Sequence, residues 1–174
     1  MSQRFNSPVL QEVYDYWSAK RGERAMPARS DLDPHEMKKA LPHLMLTDVL
    51  DGGSRFRYRL VGTAIAEAFG RDMTGLYIDE VMSDGRYRDF ILGLYRDLVE
   101  KRRPIYSESR YYSERKVGLS AERLMLPLSS DGTVVDMVLA AQVFKHDTPL
   151  RTLSVRLAQE RQEEIQHLTK LLDE

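Results

Sequence analysis

The chain has 174 residues, of which 42% are hydrophobic and 30% are charged, and its formal net charge is −1. A chain of this size can bury one substantial core, so one domain with terminal extensions is expected, and its charge gives no bulk attraction to nucleic acid or anionic membranes. The absence of cysteine excludes disulfides, thiolate metal sites, a cysteine nucleophile and a covalent cysteinyl–flavin adduct.

An amphipathic helix is predicted close to the N-terminus. Its apolar residues recur at helical spacing and are Leu10, Val13, Tyr14 and Trp17. Ser7 is a suitable cap, Pro8 suits the first turn, and Gly22 follows the end of the pattern. A second short helix is predicted from the Asp33 cap to Ala40. These helices form an N-terminal extension over residues 1–43.

Two strands and two helices follow. Leu44 to Leu50 is apolar and β-branched, and the Asp51-Gly52-Gly53-Ser54 turn leads into a returning strand that starts at Arg55. In that strand Phe56, Tyr58 and Leu60 alternate with Arg55, Arg57 and Arg59, so one face is apolar and the other is basic. Ala64 to Phe69 predicts a short helix capped by Gly70, and Asp84 is expected to cap a helix that reaches Lys101.

Three more strands are predicted: Pro104 to Tyr112, Leu119 to Leu128 and Val134 to Lys145. Two strands, then helices, then three strands is typical of an α+β domain whose helices pack on one face of a five-stranded antiparallel sheet. The core is expected over residues 44–147. A C-terminal amphipathic helix is expected over residues 148–174.

Four segments resemble the PAS_5 family of stand-alone PAS domains known from alphaproteobacteria. They are YWSAKRGERAMPARSDLDP, LPHLMLTDVLDGGSRFRYRLVGT, GRDMTGLYIDEV and the LPLSSDG hairpin. The resemblance extends from about Tyr14 to Phe144. It implies a PAS fold and a sensory or regulatory module without catalytic activity, which binds a small ligand or a protein partner. A small-molecule carrier or enzyme subunit and a constitutive interaction scaffold are the alternatives.

The resemblance places a cavity between the helices and the sheet, and candidate ligand-binding residues follow from it. They are Phe69, Asp72, Thr74, Tyr77, Phe90, Tyr95, Met125 and Met137. Most of the apolar ones are expected to be ordinary core, and Asp72 is expected to cap a turn. A small and largely apolar metabolite is the expected ligand, with polar contacts from Thr74, Tyr77 or Tyr95.

No cofactor or metal is expected. The four histidines lack ligand spacing, and the predicted helix from Asp84 to Lys101 has no histidine to anchor a haem. Asp31, Asp33 and Glu36 lack the glycine-containing pattern of a calcium loop. Motifs of hydrolases, nucleotide-binding loops and metalloproteases are also absent, so no enzyme activity is expected. Basic clusters without interleaved aromatic residues argue against nucleic-acid binding.

The C-terminal segment is predicted to mediate association. Its apolar seam, interrupted in the middle, consists of Leu150, Leu153, Leu157, Ile165, Leu168 and Leu172. We expect a homodimer that uses Leu153, Leu157, Ile165 and Leu168, with Trp17 as a further contact residue. Because the sequence ends at Glu174 without an effector domain, output is expected through a protein partner or self-association. No secretory signal or spanning segment is evident, so a cytoplasmic location is expected, without membrane insertion.

Overall fold

A computed structural model describes residues 5–82, 85–112, 118–146 and 168–171. Its helices are α1 (Pro8–Arg21), α2 (Thr63–Phe69), α3 (Ile78–Val81) and α4 (Gly85–Lys101). Its strands are β1 (Leu44–Leu50), β2 (Arg55–Val61), β3 (Ile105–Tyr112), β4 (Gly118–Leu128), β5 (Met137–His146) and β6 (Leu168–Leu171). No helix among the described residues is long and apolar enough to cross a membrane.

The strands form one antiparallel sheet in the order β2-β1-β5-β4-β3-β6. The five predicted strands and the α+β class are confirmed. Strand β5 pairs with β1 on one side and with β4 on the other, so β5 lies in the middle of the sheet. This strand order places β4 and β5, which follow α4 in the sequence, beneath the helices.

The sixth strand corrects one expectation. Leu168–Leu171 is extended and pairs with β3, with Leu171 opposite Ile105, whereas a helix was predicted over residues 148–174. The open N–H and C=O groups of an edge strand offer a complete set of hydrogen bonds to an extended segment. For residues 168–171, the hydrogen bonds of this pairing outweigh the helical propensity. Leu153, Leu157 and Ile165 lie outside the described residues.

Both faces of the sheet are covered. On β4 and β3, Arg123 is paired with Ser107 and reaches Tyr87 of α4, so these residues point towards α2–α4. Side chains of neighbouring residues alternate between faces, so Tyr106 points the other way. Its ring lies 5.4 Å from that of Phe5, which in turn contacts Tyr14 of α1. We call the first face the inner face and the second the outer face.

Helix α1 is fixed to the outer face by its tryptophan. Trp17 is 1% exposed, and its Nε1 donates to the carbonyl oxygen of Pro127 in β4 at 3.0 Å. The predicted limits of α1 are confirmed, but the Ser7 side chain makes no capping hydrogen bond. The helix instead starts on the Ser7 backbone carbonyl, which accepts from Gln11 at 3.1 Å.

Two other boundaries differ from prediction. The short helix expected up to Ala40 is a 3₁₀ turn, Pro34–Met37, because so few residues do not offset the cost of nucleating an α-helix. Asp33 caps that turn as expected, accepting from the His35 amide at 2.9 Å. Strand β5 starts at Met137 rather than Val134, since the Asp131 carboxylate holds the amides of Thr133 and Val134 in the preceding turn.

The basic face of the edge strand β2 is paired rather than free. Arg57 and Arg59 both bind Asp48 of β1, at 2.9 Å and 2.7 Å, and the Asp48 side chain is only 6% exposed. Arg55 lies over the Tyr77 ring, 3.6 Å from its centroid, and also binds Asp79 and Glu80. The arginine stripe therefore ties β2 to its neighbours.

Gly75→Val is expected to lower the free energy of unfolding by about 1–2 kcal/mol. Gly75 has a φ of +86°, and a Cβ there would meet open space, so the cost is backbone strain without a clash. Its amide donates to Tyr58 at 2.6 Å and anchors the loop on β2. Urea unfolding measures the change, and an unchanged midpoint with an unchanged slope would contradict it.

Candidate functional site

A small cavity lies between the inner face of the sheet and the helices. Its free volume is about 10 Å³, room for about one water molecule. Its lining residues come from α2, α4, both halves of the sheet and the segment after α3: Met45, Tyr58, Phe69, Met82, Tyr87, Ile91, Tyr95, Arg123 and Gln142. The lining is mixed, with two flexible thioethers, an aromatic cluster and one charged group.

That charged group is Arg123 in the middle of β4, and it is 2% exposed. Its Nε donates to Oε1 of Gln142 at 3.1 Å, and its Nη2 donates to the Tyr87 hydroxyl at 3.0 Å. Gln142 lies directly across the strand pair on β5 and is 1% exposed. Both partners are neutral, so they orient the guanidinium without neutralising it.

Several buried polar atoms around Arg123 have no hydrogen-bond partner among the described residues. They include Nη1 of Arg123, Nε2 of Gln142 and Oγ of Ser107. Ser107 pairs with Arg123 across β3 and β4, which puts their side chains on the same face a few ångströms apart. A buried polar atom without a partner is uncommon in folded proteins, and each one requires an explanation. Here the three lie together on the inner face.

Two tyrosines of the cavity lining remain neutral at physiological pH. Burial raises the pKa of Tyr95 to about 12, although hydrogen bonding to Thr47 and the charge of Arg123 act to lower it. Tyr58 is also buried, and burial raises its pKa well above the usual value. Tyr95 exchanges a hydrogen bond of 2.9 Å with Thr47 of β1, which fixes its ring against the sheet.

The family comparison is specific and covers most of the chain. The model of PAS_5, described as a PAS domain, matches residues 5–142. The chain belongs to the PAS_5 family. PAS domains are sensory and regulatory modules, and the strand order and the helix-covered inner face of this chain agree with that fold. No curated protein matches the sequence.

Three solved structures are similar to this chain at low sequence identity. A PAS domain from BvgS of Bordetella pertussis is 15% identical, with 71% of this chain and 90% of that one covered and a TM-score of 0.49. The LOV protein of Rhodobacter sphaeroides is 15% identical over 74% of each chain, with a TM-score of 0.43. VqmA of Vibrio cholerae, in a complex with ligand and DNA, is 13% identical over 75% of this chain and 58% of that one, with a TM-score of 0.49.

Of the eight ligand-binding residues predicted from the sequence of this PAS domain, the cavity lining includes Phe69 and Tyr95. Met125 is buried two residues from Arg123 but does not line the cavity. Met137 is five residues from Gln142 on β5 and therefore points to the outer face. The Phe90 ring packs against Tyr87, 6.5 Å between centroids, and also stays outside the lining.

The predicted residues of the loop after α2 stabilise the loop itself. Asp72 accepts hydrogen bonds from the Thr74 amide at 2.9 Å and from its hydroxyl at 2.7 Å, and the Thr74 hydroxyl accepts from the Val61 amide at 3.2 Å. Hydrogen bonding to Thr74 lowers the pKa of Asp72 and keeps it ionised. Neither residue lines the cavity. Tyr77 instead stacks under Arg55.

The predicted contact residue Trp17 is also part of the core of this PAS domain. At 1% exposure, its indole cannot be reached by a partner while α1 is docked. For Leu168, the structure gives a strand in place of the helical seam. Groups of three or more His, Asp or Glu side chains placed to hold a metal ion are absent from the described parts of the chain.

Sequence reasoning missed Arg123, the residue that distinguishes this cavity from ordinary core. Its signal was visible in the run from Leu119 to Leu128, where Arg123 shares the alternation of Ala121 and Met125. A charged residue in register with buried ones predicts either a bulge or a buried, functional cation.

Replacing Tyr95 by phenylalanine is expected to remove one tyrosine that ionises late in an alkaline titration. The pKa of Tyr95 is raised in the folded protein, so its contribution to stability is complete below pH of about 10 and is lost as the pH rises towards 12. Ultraviolet absorbance of tyrosinate follows the titration. Tyr77→Phe, which removes a half-buried tyrosine outside the cavity lining, is the matched control, and a titration curve for Tyr95→Phe with the same late step as the parent would contradict the assignment.

Proposed function

We propose that this PAS domain is a non-catalytic regulatory module that responds to a small ligand in the cavity. The observation that supports the proposal most directly is the set of buried polar atoms around Arg123 that have no partner among the described residues and lie between the helices and the sheet. A core selected only for stability would replace these groups by apolar ones. Buried groups that await a partner are typical of a binding site.

The signal would pass through the sheet to its outer face. Arg123 and Pro127 belong to the same strand, β4, and the Pro127 carbonyl accepts the indole hydrogen bond of Trp17. A ligand that moves Arg123 changes the strand on which α1 is docked. If the ligand binds more tightly to the protein in one packing of α1 than in the other, it shifts the population towards the packing that it prefers. The surface that α1 covers is the proposed contact with a protein partner.

Trp17 allows this to be tested without a label, because the sequence has one tryptophan. A compound that enters the cavity should shift the Trp17 emission and raise the melting temperature with the same concentration dependence. Native mass spectrometry of protein isolated from its host should show the retained mass. Ile91→Phe, which fills the cavity, should abolish both responses, whereas Arg96→Ala on the exposed side of α4 should keep them.

A constitutive interaction scaffold is the second candidate, and the small free volume of about 10 Å³ favours it. A scaffold would bind its partner equally well in the parent and in Ile91→Phe. It would show no retained mass and no emission change with any compound. That combination of results would replace ligand sensing by constitutive binding.

Self-association is proposed as the second route of output. The part of the predicted seam that contains Leu153, Leu157 and Ile165 lies outside the described residues, so its support is the apolar spacing in the sequence. Light scattering of the full chain should give the mass of a dimer at micromolar concentration. Leu157→Lys should give a folded monomer, and a monomeric parent at high concentration would remove this route.

A further inference from the structure

The cavity carries a positive charge that the described residues do not neutralise. Arg123 is 2% exposed, and its two hydrogen-bond partners are an amide oxygen and a phenol hydroxyl. An arginine stays protonated at any pH at which the protein is folded. A buried ion is costly unless it is paired, so an arginine in this position requires a counter-ion.

Among the described residues, the carboxylates on the neighbouring strand positions of β4 and β1 are directed elsewhere. Glu122 precedes Arg123 in β4 and so points to the outer face, where it binds Lys145. Asp48 points to the outer side of β1 and is held by Arg57 and Arg59. Tyr58 and Tyr95 on the cavity wall cannot supply the negative charge near neutral pH, because burial raises the pKa of both hydroxyls.

The groups left without a partner are mostly hydrogen-bond donors. Nη1 of Arg123 and Nε2 of Gln142 only donate, and the Ser107 hydroxyl can donate as well. A cation would be repelled, and one water molecule cannot neutralise the guanidinium. A carboxylate has two oxygens with about four acceptor positions and one negative charge, so it satisfies both the donors and the charge.

From these contacts we infer that the cavity binds a small carboxylate, with Arg123 as its charge partner and Gln142 as the second donor. This inference rests on the proposed ligand-sensing function and replaces the expected apolar metabolite by an anion. The free volume of about 10 Å³ is too small for a carboxylate, so binding opens the cavity. Met45 and Met82 in the lining can change rotamers readily, and Phe69 links this movement to α2.

The test is an NMR titration of the full chain labelled with ¹⁵N, with formate and acetate as probes. Both should shift the Arg123 side-chain Nε–H and the Gln142 side-chain amide saturably. Acetamide, which has the shape of acetate without its charge, should give no saturable shift. Sodium chloride at equal ionic strength should bind at least about tenfold more weakly, because a single spherical ion lacks the two separate oxygens that a carboxylate presents to Arg123 and Gln142.

Gln142→Glu is the most informative variant because it changes the charge with little change in shape. The new carboxylate lies where the amide accepts from Arg123 at 3.1 Å, so it pairs with the guanidinium internally. Affinity for acetate should fall at least about tenfold, the equivalent of 1.4 kcal/mol, although Arg123 itself is intact. Arg59→Gln, a surface arginine on β2, should bind acetate as the parent does.

Each outcome decides the assignment. Equal binding of acetate and acetamide, chloride as tight as acetate, or parental affinity in Gln142→Glu would each overturn a carboxylate site. So would the absence of binding by both formate and acetate. If a neutral compound then still shifts the Trp17 emission, ligand sensing stands and only the carboxylate assignment fails. If no compound of either kind does so, both are wrong.

Discussion

Gly62→Ala should lower the free energy of unfolding by about 3 kcal/mol or more, at the upper end of what one added methyl group does. Gly62 joins β2 to α2, and a Cβ there would lie 2.3 Å from the Pro42 carbonyl oxygen and 2.6 Å from that of Leu41. Both obstacles are backbone atoms, which cannot rotate away. The Gly62 amide also donates to Leu44 at 2.7 Å, so the contact cannot open without losing that bond.

The conformation of Gly62 itself is ordinary, with a φ of −66° that alanine adopts easily. The expected loss of stability at Gly62 is therefore purely steric. At Gly75, by contrast, the loss of stability comes from backbone strain. Gly93→Ala is the matched control, because it adds the same methyl group on α4 in open space. It should stabilise the protein by about 0.5–1 kcal/mol through helix propensity. Equal urea midpoints for the two variants would contradict the steric explanation.

Local patterns predicted the elements well where one physical effect dominates. The Leu10, Val13 and Trp17 spacing located α1, and Gly70 ends α2 with a φ of +81° as its position suggested. The alternation of β2 placed its arginines on the outer side of the edge strand. In each case the signal comes from residues close in sequence, and the structure adds only the residues that these elements contact.

The site was harder to predict because this sheet is covered on both faces. Along β4, Leu124 and Leu126 of the outer face are as apolar as Met125 of the inner face. Alternation therefore did not reveal which face holds the cavity, and Arg123 and Glu122 were indistinguishable as strand charges. Only the pairing of β4 with β5 and the position of α4 decide that Arg123 points inward.

Long-range pairing also explains the error at the C-terminal end. The residues from Leu168 to Leu171 have a helical pattern of their own, and nothing near them in sequence predicts a strand. Their partner is β3, about sixty residues earlier in the chain, and no other strand of the described residues occupies that edge. A vacant edge is a property of the assembled sheet, so it is invisible to spacing along the chain.

The double variant Arg123→Met, Gln142→Met should raise the free energy of unfolding of the ligand-free protein by about 1–4 kcal/mol. It removes the hydrogen bonds of Arg123 to Gln142 at 3.1 Å and to Tyr87 at 3.0 Å, but it also removes a buried charge that the described residues do not neutralise and an unpartnered amide nitrogen. Methionine has the length and flexibility to fill the space that both side chains leave. Changing both partners together avoids leaving the Gln142 oxygen buried and unpaired, which would hide the gain.

The double variant Arg57→Met, Arg59→Met is the control for the predicted increase in the free energy of unfolding. That pair also loses two arginines, but it leaves Asp48, whose side chain is 6% exposed, without a counter-ion, so it should be destabilising. Urea unfolding in a buffer free of carboxylates measures both double variants against the parent. Adding acetate should then stabilise the parent and leave the Arg123, Gln142 variant unchanged, so that the difference between the two narrows as acetate rises. If that variant is instead less stable than the parent before any acetate is added, Arg123 is already paired in the folded protein, and the cavity has no charge left for a ligand to neutralise.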